Sequence, residues 1–316
     1  MTERPPTAGR VAATAPVRTV FFGSGAFAVP VLDALTGLAQ LEVVGVVTTP
    51  DRPAGRGRRL VATPVAHRAE ELGLAVLKPA SLRTPEAAQA LAATGADLAV
   101  LADYGRIVPP GILAIPRRGF LNLHPSLLPR HRGATPIAGA ILANDDLTGI
   151  TLFEMDAGTD TGPIVSQRSM NLGPDARADV IEAEAASRAA ELLVSALPRW
   201  LAGELPARPQ EGEPATLTRP FRREDGRLDP GQSAAALERR VRALVPWPGT
   251  FLETPDVRIG VSRAAVAPSE PGDTPGTLVP DGTGLALATS DGRLRLQEVA
   301  PAGGRSMSGA ELRRGR

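Results

Sequence analysis

Hydrophobic residues follow two rhythms along this chain, and the change between them divides it. Up to about residue 204, continuous apolar runs alternate with stretches of helical period. The runs at 18–24, 41–48, 75–78, 97–102 and 119–123 are rich in Val, Leu and Phe. Such runs read as strands buried on both faces, the mark of a parallel sheet covered by helices. The segments between and after them, 25–38, 62–72, 84–93 and 134–144, have helical length and pattern. Two more strands are predicted near 149–155 and 163–168, then a long amphipathic helix within 176–203. The expectation is an α/β fold: a Rossmann-like, mostly parallel sheet domain over 18–204.

Residues 205–215, Leu-Pro-Ala-Arg-Pro-Gln-Glu-Gly-Glu-Pro-Ala, have the composition of an interdomain linker. Beyond them, over 216–316, one helical stretch at 234–244 precedes short alternating runs at 257–266, 276–280, 285–289 and 293–299. Gly, Pro and Asp separate these runs, a pattern that predicts a small β-barrel. Residues 1–17, rich in Pro, Ala and Thr and without an apolar core, read as a disordered tail rather than a signal peptide.

Composition changes this picture little. At 316 residues and 43% hydrophobic, two domains with sizeable cores are expected. With no cysteine, disulfides, thiolate metal sites and thiol nucleophiles are excluded. No apolar run reaches the roughly 18–20 residues that span a bilayer, so a cytoplasmic, soluble, monomeric protein is expected. The formal net charge of +1 does not announce nucleic acid. Lys78 is the only lysine, a bias that a GC-rich genome explains as well as function does.

The chemistry concentrates at 120–137. The run ending in Asn122-Leu-His124 puts an amide and an imidazole at i and i+2, hence on one face of a strand end. Pro125 and Pro129 then stop regular structure. Ligands of open α/β sheets bind beyond the strand C-termini. A lone Asn-x-His at a strand end is usually structural. The loop Met155-Asp-Ala-Gly-Thr-Asp160-Thr-Gly162 after the next strand changes that balance, because it offers a carboxylate to complete an Asn/His/Asp set. Gly23-Ser24-Gly25 in the first strand-to-helix turn invites a dinucleotide reading. It lacks the third glycine and an acid ending the second strand, so a tight turn is the better reading. Ser126 lacks the glycine elbow of a nucleophile.

Asn122-Leu-His124-Pro-Ser-Leu-Leu-Pro129 followed by Asp160-Thr-Gly162 resembles the signature of the formyltransferases that use 10-formyltetrahydrofolate. Thr49-Pro-Asp-Arg-Pro-Ala-Gly-Arg-Gly-Arg-Arg-Leu60 is similar to the tRNA-specific loop of the branch acting on methionyl-tRNA. Ala102-Asp-Tyr-Gly105 and Pro246-Trp-Pro-Gly249 extend the likeness over nearly the whole chain. The resemblance implies an OB-like C-terminal barrel that contacts tRNA, although 206–316 hold 16 arginines against 14 acids and are barely basic. It implies formyl transfer from 10-formyltetrahydrofolate to the α-amine of methionine on initiator tRNA, with Asn122, His124 and Asp160 catalytic and no metal. It also implies folate contact by Ser126, Leu127, Leu128 and Pro129, with Tyr104 and Gly105 as a second wall. Arg52, Arg56, Arg58 and Arg59 would touch tRNA, Arg56 as discriminator. Two positions depart from the family: Ser24-Gly25 replaces a more usual Thr-Pro, and Asp103 replaces an apolar residue or Ala. The rival readings are a formyltransferase acting on an amino-sugar nucleotide, a folate-dependent hydrolase and a non-catalytic RNA-binding protein.

Overall fold

A computed structural model describes residues 15–54, 59–211, 214–255 and 257–315. The N-terminal sheet contains β1 (Val17–Gly23), β2 (Leu41–Val47), β3 (Val76–Leu77), β4 (Leu98–Ala102), β5 (Phe120–His124), β6 (Leu147–Glu154) and β7 (Ile164–Asn171). Their order across the sheet is β7-β6-β5-β4-β1-β2-β3. Strands β3, β2, β1, β4 and β5 are mutually parallel, while β6 and β7 extend the sheet through antiparallel pairings.

Alternation along these strands divides the core in two. Phe21, Val46, Val100, Leu121 and Leu123 face the cluster built with α1 (Ala28–Thr36) and the 24-residue helix 178–201. Val20, Phe22, Val47, Leu101 and Phe120 face the cluster on the other side, with Leu91 and Ile112. Each fully buried Phe or Leu contributes roughly 1.5–3 kcal/mol, so both faces must be covered for the sheet to persist. Helices α2 (Pro64–Glu71) and α3 (Pro85–Ala93) begin where sequence chemistry starts a helix. Proline occupies the first turn, and the Thr63 and Thr84 hydroxyls accept from the backbone N–H groups of Ala66 and Ala87.

From β1 the chain runs outward to β2 and β3, then returns to the other side of β1 to lay down β4 and β5. The strand order therefore reverses between β1 and β4, where such folds open a crevice at the strand C-termini. Ser24 and Asp103 follow the ends of β1 and β4, and His124 ends β5.

The second domain is an antiparallel sheet. In order along its pairing path run Thr250–Glu253, Arg258–Ala267, Arg293–Pro301, Gly284–Ala288 and Leu278–Asp281, with Met307–Ser308 on the third. Helix 234–243 packs Leu237 and Val241 into this domain's own core beside Ile259, Leu287, Leu294 and Val299.

The linker expectation needs correcting. Composition at 205–215 suggested a free connector, but the segment docks on the first domain. Ile164 and Arg208 exchange backbone hydrogen bonds of 2.6 and 2.8 Å, and Leu217–Thr218 pairs in parallel with Arg132–Gly133. The expected tail at 1–17 lies outside the described residues except for its last three, and Val17 already begins β1.

Candidate active site

Asn122 and His124 lie at the end of β5, and both are buried, with 7% and 5% of their surface exposed. The turn after them is fixed from β6. Thr151 donates its hydroxyl to the Ser126 carbonyl (2.7 Å) and accepts from the Leu128 N–H (3.1 Å) and from Gln167 Nε2 (2.9 Å). Gln167 also donates to the Leu128 carbonyl, and Thr216 N–H donates to that of Pro129. The Ser126 hydroxyl donates to the Arg130 carbonyl.

His124 Nε2 lies 2.9 Å from the His131 carbonyl oxygen. A carbonyl only accepts, so Nε2 carries the proton and the neutral ring keeps its lone pair on Nδ1. That carbonyl is held in place. His131 sits at φ 54°, its N–H donates to Thr216 Oγ1 (2.7 Å), and its ring meets Asp145 Oδ2 at 2.6 Å. Burial pushes the His124 pKa below its ordinary value, and Asp160 and the His131 carbonyl oppose that less strongly. The ring therefore rests neutral.

Asp160 Oδ2 stands 3.7 Å from His124 Nδ1, too far for a direct hydrogen bond but a gap that a water or a substrate N–H closes. The same oxygen accepts from Gly133 N–H at 2.7 Å. Gly133 has φ 102°, and a Cβ there would collide with the Thr218 carbonyl, so glycine is required to present this N–H. Gln210 Nε2 donates to the carbonyls of both Asp160 and Gly162 at 2.8 Å, and Arg132 Nη2 donates to Gln210 Oε1 at 2.6 Å. The docked 205–218 segment is thus a strap over the Asp160 loop. Nothing in the pattern of the chain marks Gln210, which sits in a stretch of linker composition. Among the described residues no hydrogen bond engages the Asn122 amide, which leaves its N–H groups available at the crevice.

The other site candidates separate. Ser126, Leu128 and Pro129 are buried, and the hydrogen bonds above occupy their carbonyls and the Leu128 N–H. Leu127 overlies Gly149 of β6. The idea that this turn's open polar groups meet a pterin is therefore corrected: those groups are spent inside the protein, and the turn acts as scaffold for His124. Tyr104 is 1% exposed, its ring edge-on to Phe22 at 5.4 Å, so its side chain belongs to the core. Gly105 is exposed at φ 74°. Two residues on, Ile107 is 80% exposed, an apolar side chain at the crevice end that only its position after a strand could have flagged.

Arg52 and Arg59 are exposed on a short hairpin of Arg52–Ala54 and Arg59–Val61. Arg56 and Arg58 lie outside the described residues. A cavity of about 220 Å³ opens between this hairpin and the sheet, lined by Ser24, Thr49, Arg52, Thr63, Asp103 and Gly105, among others. Among the described residues no cluster of His, Cys, Asp or Glu could hold a metal ion, and no helix is long and apolar enough to cross a membrane.

Residues 17–197 match the formyl transferase family and 220–316 match the formyl transferase C-terminal domain. The methionyl-tRNA formyltransferase of Roseiflexus sp. (strain RS-1) is 46% identical over 301 residues, covering 95% of this chain and 93% of the relative. That of Thermus thermophilus is 43% identical over 300 residues, covering 95% and 96%. Among solved structures, HypX from Aquifex aeolicus in complex with tetrahydrofolic acid superposes with a TM-score of 0.63 at 18% identity, over 94% of this chain and 47% of that one. The N-formyltransferase of Helicobacter canadensis, in complex with folinic acid and dTDP-3-aminofucose, gives 0.65 at 15% identity over 92% and 100%. These two likenesses speak for the fold alone. With both formyl transferase matches and full-length relatives above 40% identity, the chain belongs to the methionyl-tRNA formyltransferase family.

Proposed function

We infer that the chain transfers the formyl group of 10-formyltetrahydrofolate to the α-amino group of methionine on initiator tRNA, acting as a monomer. The observation that carries this reading is the Asn122–His124–Asp160 constellation at the crevice of a chain whose full-length relatives are methionyl-tRNA formyltransferases. All three groups come from one chain, so no second copy is needed to complete the site.

When bound, the folate supplies a formyl group on N10 that is already activated toward amines. The chain's residues then have three tasks. Asn122 directs its uncommitted amide N–H toward the oxygen that gains charge as the amine adds, a contribution typically of about 3–4 kcal/mol. His124 Nδ1 takes a proton from the attacking nitrogen and returns it to the leaving one, a role worth roughly 10²–10⁴-fold. Nε2 keeps its bond to the His131 carbonyl throughout, so the ring does not have to turn. Asp160 faces the Nδ1 edge and stabilises the imidazolium while it lasts.

The folate's fit is supported by Gly105 and Ile107, an open backbone and an exposed apolar side chain after β4. We place the flat ring system on that side. The Arg52–Arg59 hairpin stands on the opposite rim, suited to the phosphates of the acceptor end. An amino-sugar nucleotide would give that hairpin little to contact. Incubation with labelled formyl donor and equimolar methionyl initiator tRNA, methionyl elongator tRNA, free methionine and a dTDP-amino sugar tests the reading. Label should appear on the initiator tRNA ester. Label on the sugar, or release as formate at the same rate, would overturn it.

A further inference from the structure

The two positions where this chain departs from its family touch each other. A Cβ built on Gly25 would fall inside the contact radius of the Asp103 carboxylate, closest to Oδ2. The glycine therefore makes room for that acid, and any larger residue would force it aside. Backbone bonds hold the two together, with the N–H groups of Ser24 and Gly25 donating to the Asp103 carbonyl at 2.9 and 3.3 Å. Asp103 adopts φ 44°, a strained setting for a residue with a side chain and one that clusters at functional sites.

Register places this carboxylate near the chemistry. Leu101 pairs with Asn122 across β4 and β5, so two residues on Asp103 comes level with His124, one strand spacing of roughly 4.8 Å away. On the other side, Phe22 pairs with Val47 and Gly23 with Ala102, bringing Ser24 level with Asp103 and with Thr49. Thr49, Ser24, Asp103 and His124 thus form a row across four strand ends at the switch point. The first three line the 220 Å³ cavity whose far rim is Arg52. That volume is too small for a whole folate, since ligand pockets of such size run to several hundred Å³. It suits the aminoacylated end of a nucleotide, with a phosphate toward Arg52 and a cation toward Asp103.

We propose that Asp103 binds the α-ammonium of the methionyl ester, making it a specificity residue for the charged amine of the acceptor. This rests on the methionyl-tRNA reading above. The charged groups facing it are Arg52 across the cavity, Glu182 of helix 178–201, and His124 on the next strand. Asp103 reaches solvent yet is walled by protein on most sides. That desolvation, with a smaller push from Glu182, raises its pKa to about 7. Such a carboxyl can also accept the proton it holds. The proton moves from nitrogen to oxygen, the nitrogen keeps the electron pair, and the grip does not lock the amine in its unreactive form.

The test is binding of methionyl-tRNA, and of the same tRNA esterified with the α-hydroxy analogue of methionine, to wild type and to Asp103→Asn. Wild type should prefer the amine at least about tenfold, and Asp103→Asn should lose that preference while its KM for the formyl donor stays unchanged. Gly25→Ala should cost the same preference in wild type and nothing further in an Asp103→Ala background, because one contact is removed only once. An Asp103→Asn variant that still discriminates amine from hydroxyl, or a Gly25→Ala loss that persists without Asp103, would overturn the assignment. Wild-type protein that does not formylate methionyl-tRNA at all would instead remove the functional reading on which it rests.

Discussion

At the scale of single residues, the site is governed by where protons sit. His124 is neutral because burial forbids its charge, and its tautomer is set by a carbonyl that can only accept. Asp103 is the opposite case, an acid pushed up to about 7 by its surroundings. A carboxyl whose folded pKa exceeds its unfolded value near 3.8 favours the folded state at low pH and loses that contribution as pH rises from about 4 to 7. Asp103→Asn is therefore expected to melt at a higher temperature than wild type at pH 8, with the gap closing by pH 4. A gap that does not change with pH would contradict the assigned desolvation. Tyr104 tests the site from its other side. Its hydroxyl is buried with no hydrogen-bond partner among the described residues, and burial raises its pKa. Tyr104→Phe removes that unpaired group, so thermal stability should hold or rise by up to the roughly 1–3 kcal/mol of an unmet polar group. Folate affinity should not move. Weakened folate binding in a stable Tyr104→Phe protein would return the side chain to the pocket.

At the scale of elements, the 205–218 strap and the arginine hairpin decide how the strand ends are used. Gln210 joins the strap to the Asp160 and Gly162 carbonyls. Gln210→Ala should lower kcat by roughly tenfold, since a misplacement of about 1 Å at a reacting group can cost up to 10²-fold. The KM values should change little, and unchanged kcat would show that Gly133 alone orients Asp160. For the hairpin, Arg52→Ala should weaken binding of initiator and elongator tRNA alike and reduce the slope of log affinity against log salt by about one. A salt slope identical to wild type would mean Arg52 meets no phosphate. Much of this was legible beforehand. Apolar runs such as Leu98–Ala102 are long and unbroken because both sheet faces are covered, so the parallel core could be read directly. Asn122, His124 and Asp160 could be read because short polar residues stood at strand ends among glycines and prolines. The strap could not, because Pro and Glu composition reports solvation and says nothing of a chain docked through its backbone. The Ser126–Pro129 turn misled for a related reason: whether its N–H and C=O groups face a ligand or Thr151 depends on a strand 25 residues further on.

At the scale of the molecule, one domain holds the reacting groups and the other packs behind them. Arg177 donates to the Ser262 carbonyl and Arg242 to that of Ala176, so the antiparallel domain is pinned to the start of helix 178–201. The strap between them closes over the crevice on its way from one to the other. A single chain thereby assembles a crevice with the Gly105–Ile107 side for a donor, the Arg52 side for an acceptor, and Asn122, His124 and Asp160 beside it.

The central claim is that His124 moves the proton in the transfer, and single-turnover kinetics of His124→Ala test it most directly. With saturating formyl donor and methionyl initiator tRNA, the rate of formyl transfer should fall by at least about 10²-fold, while equilibrium binding of both ligands stays near wild type. Near-normal transfer by His124→Ala would contradict the account.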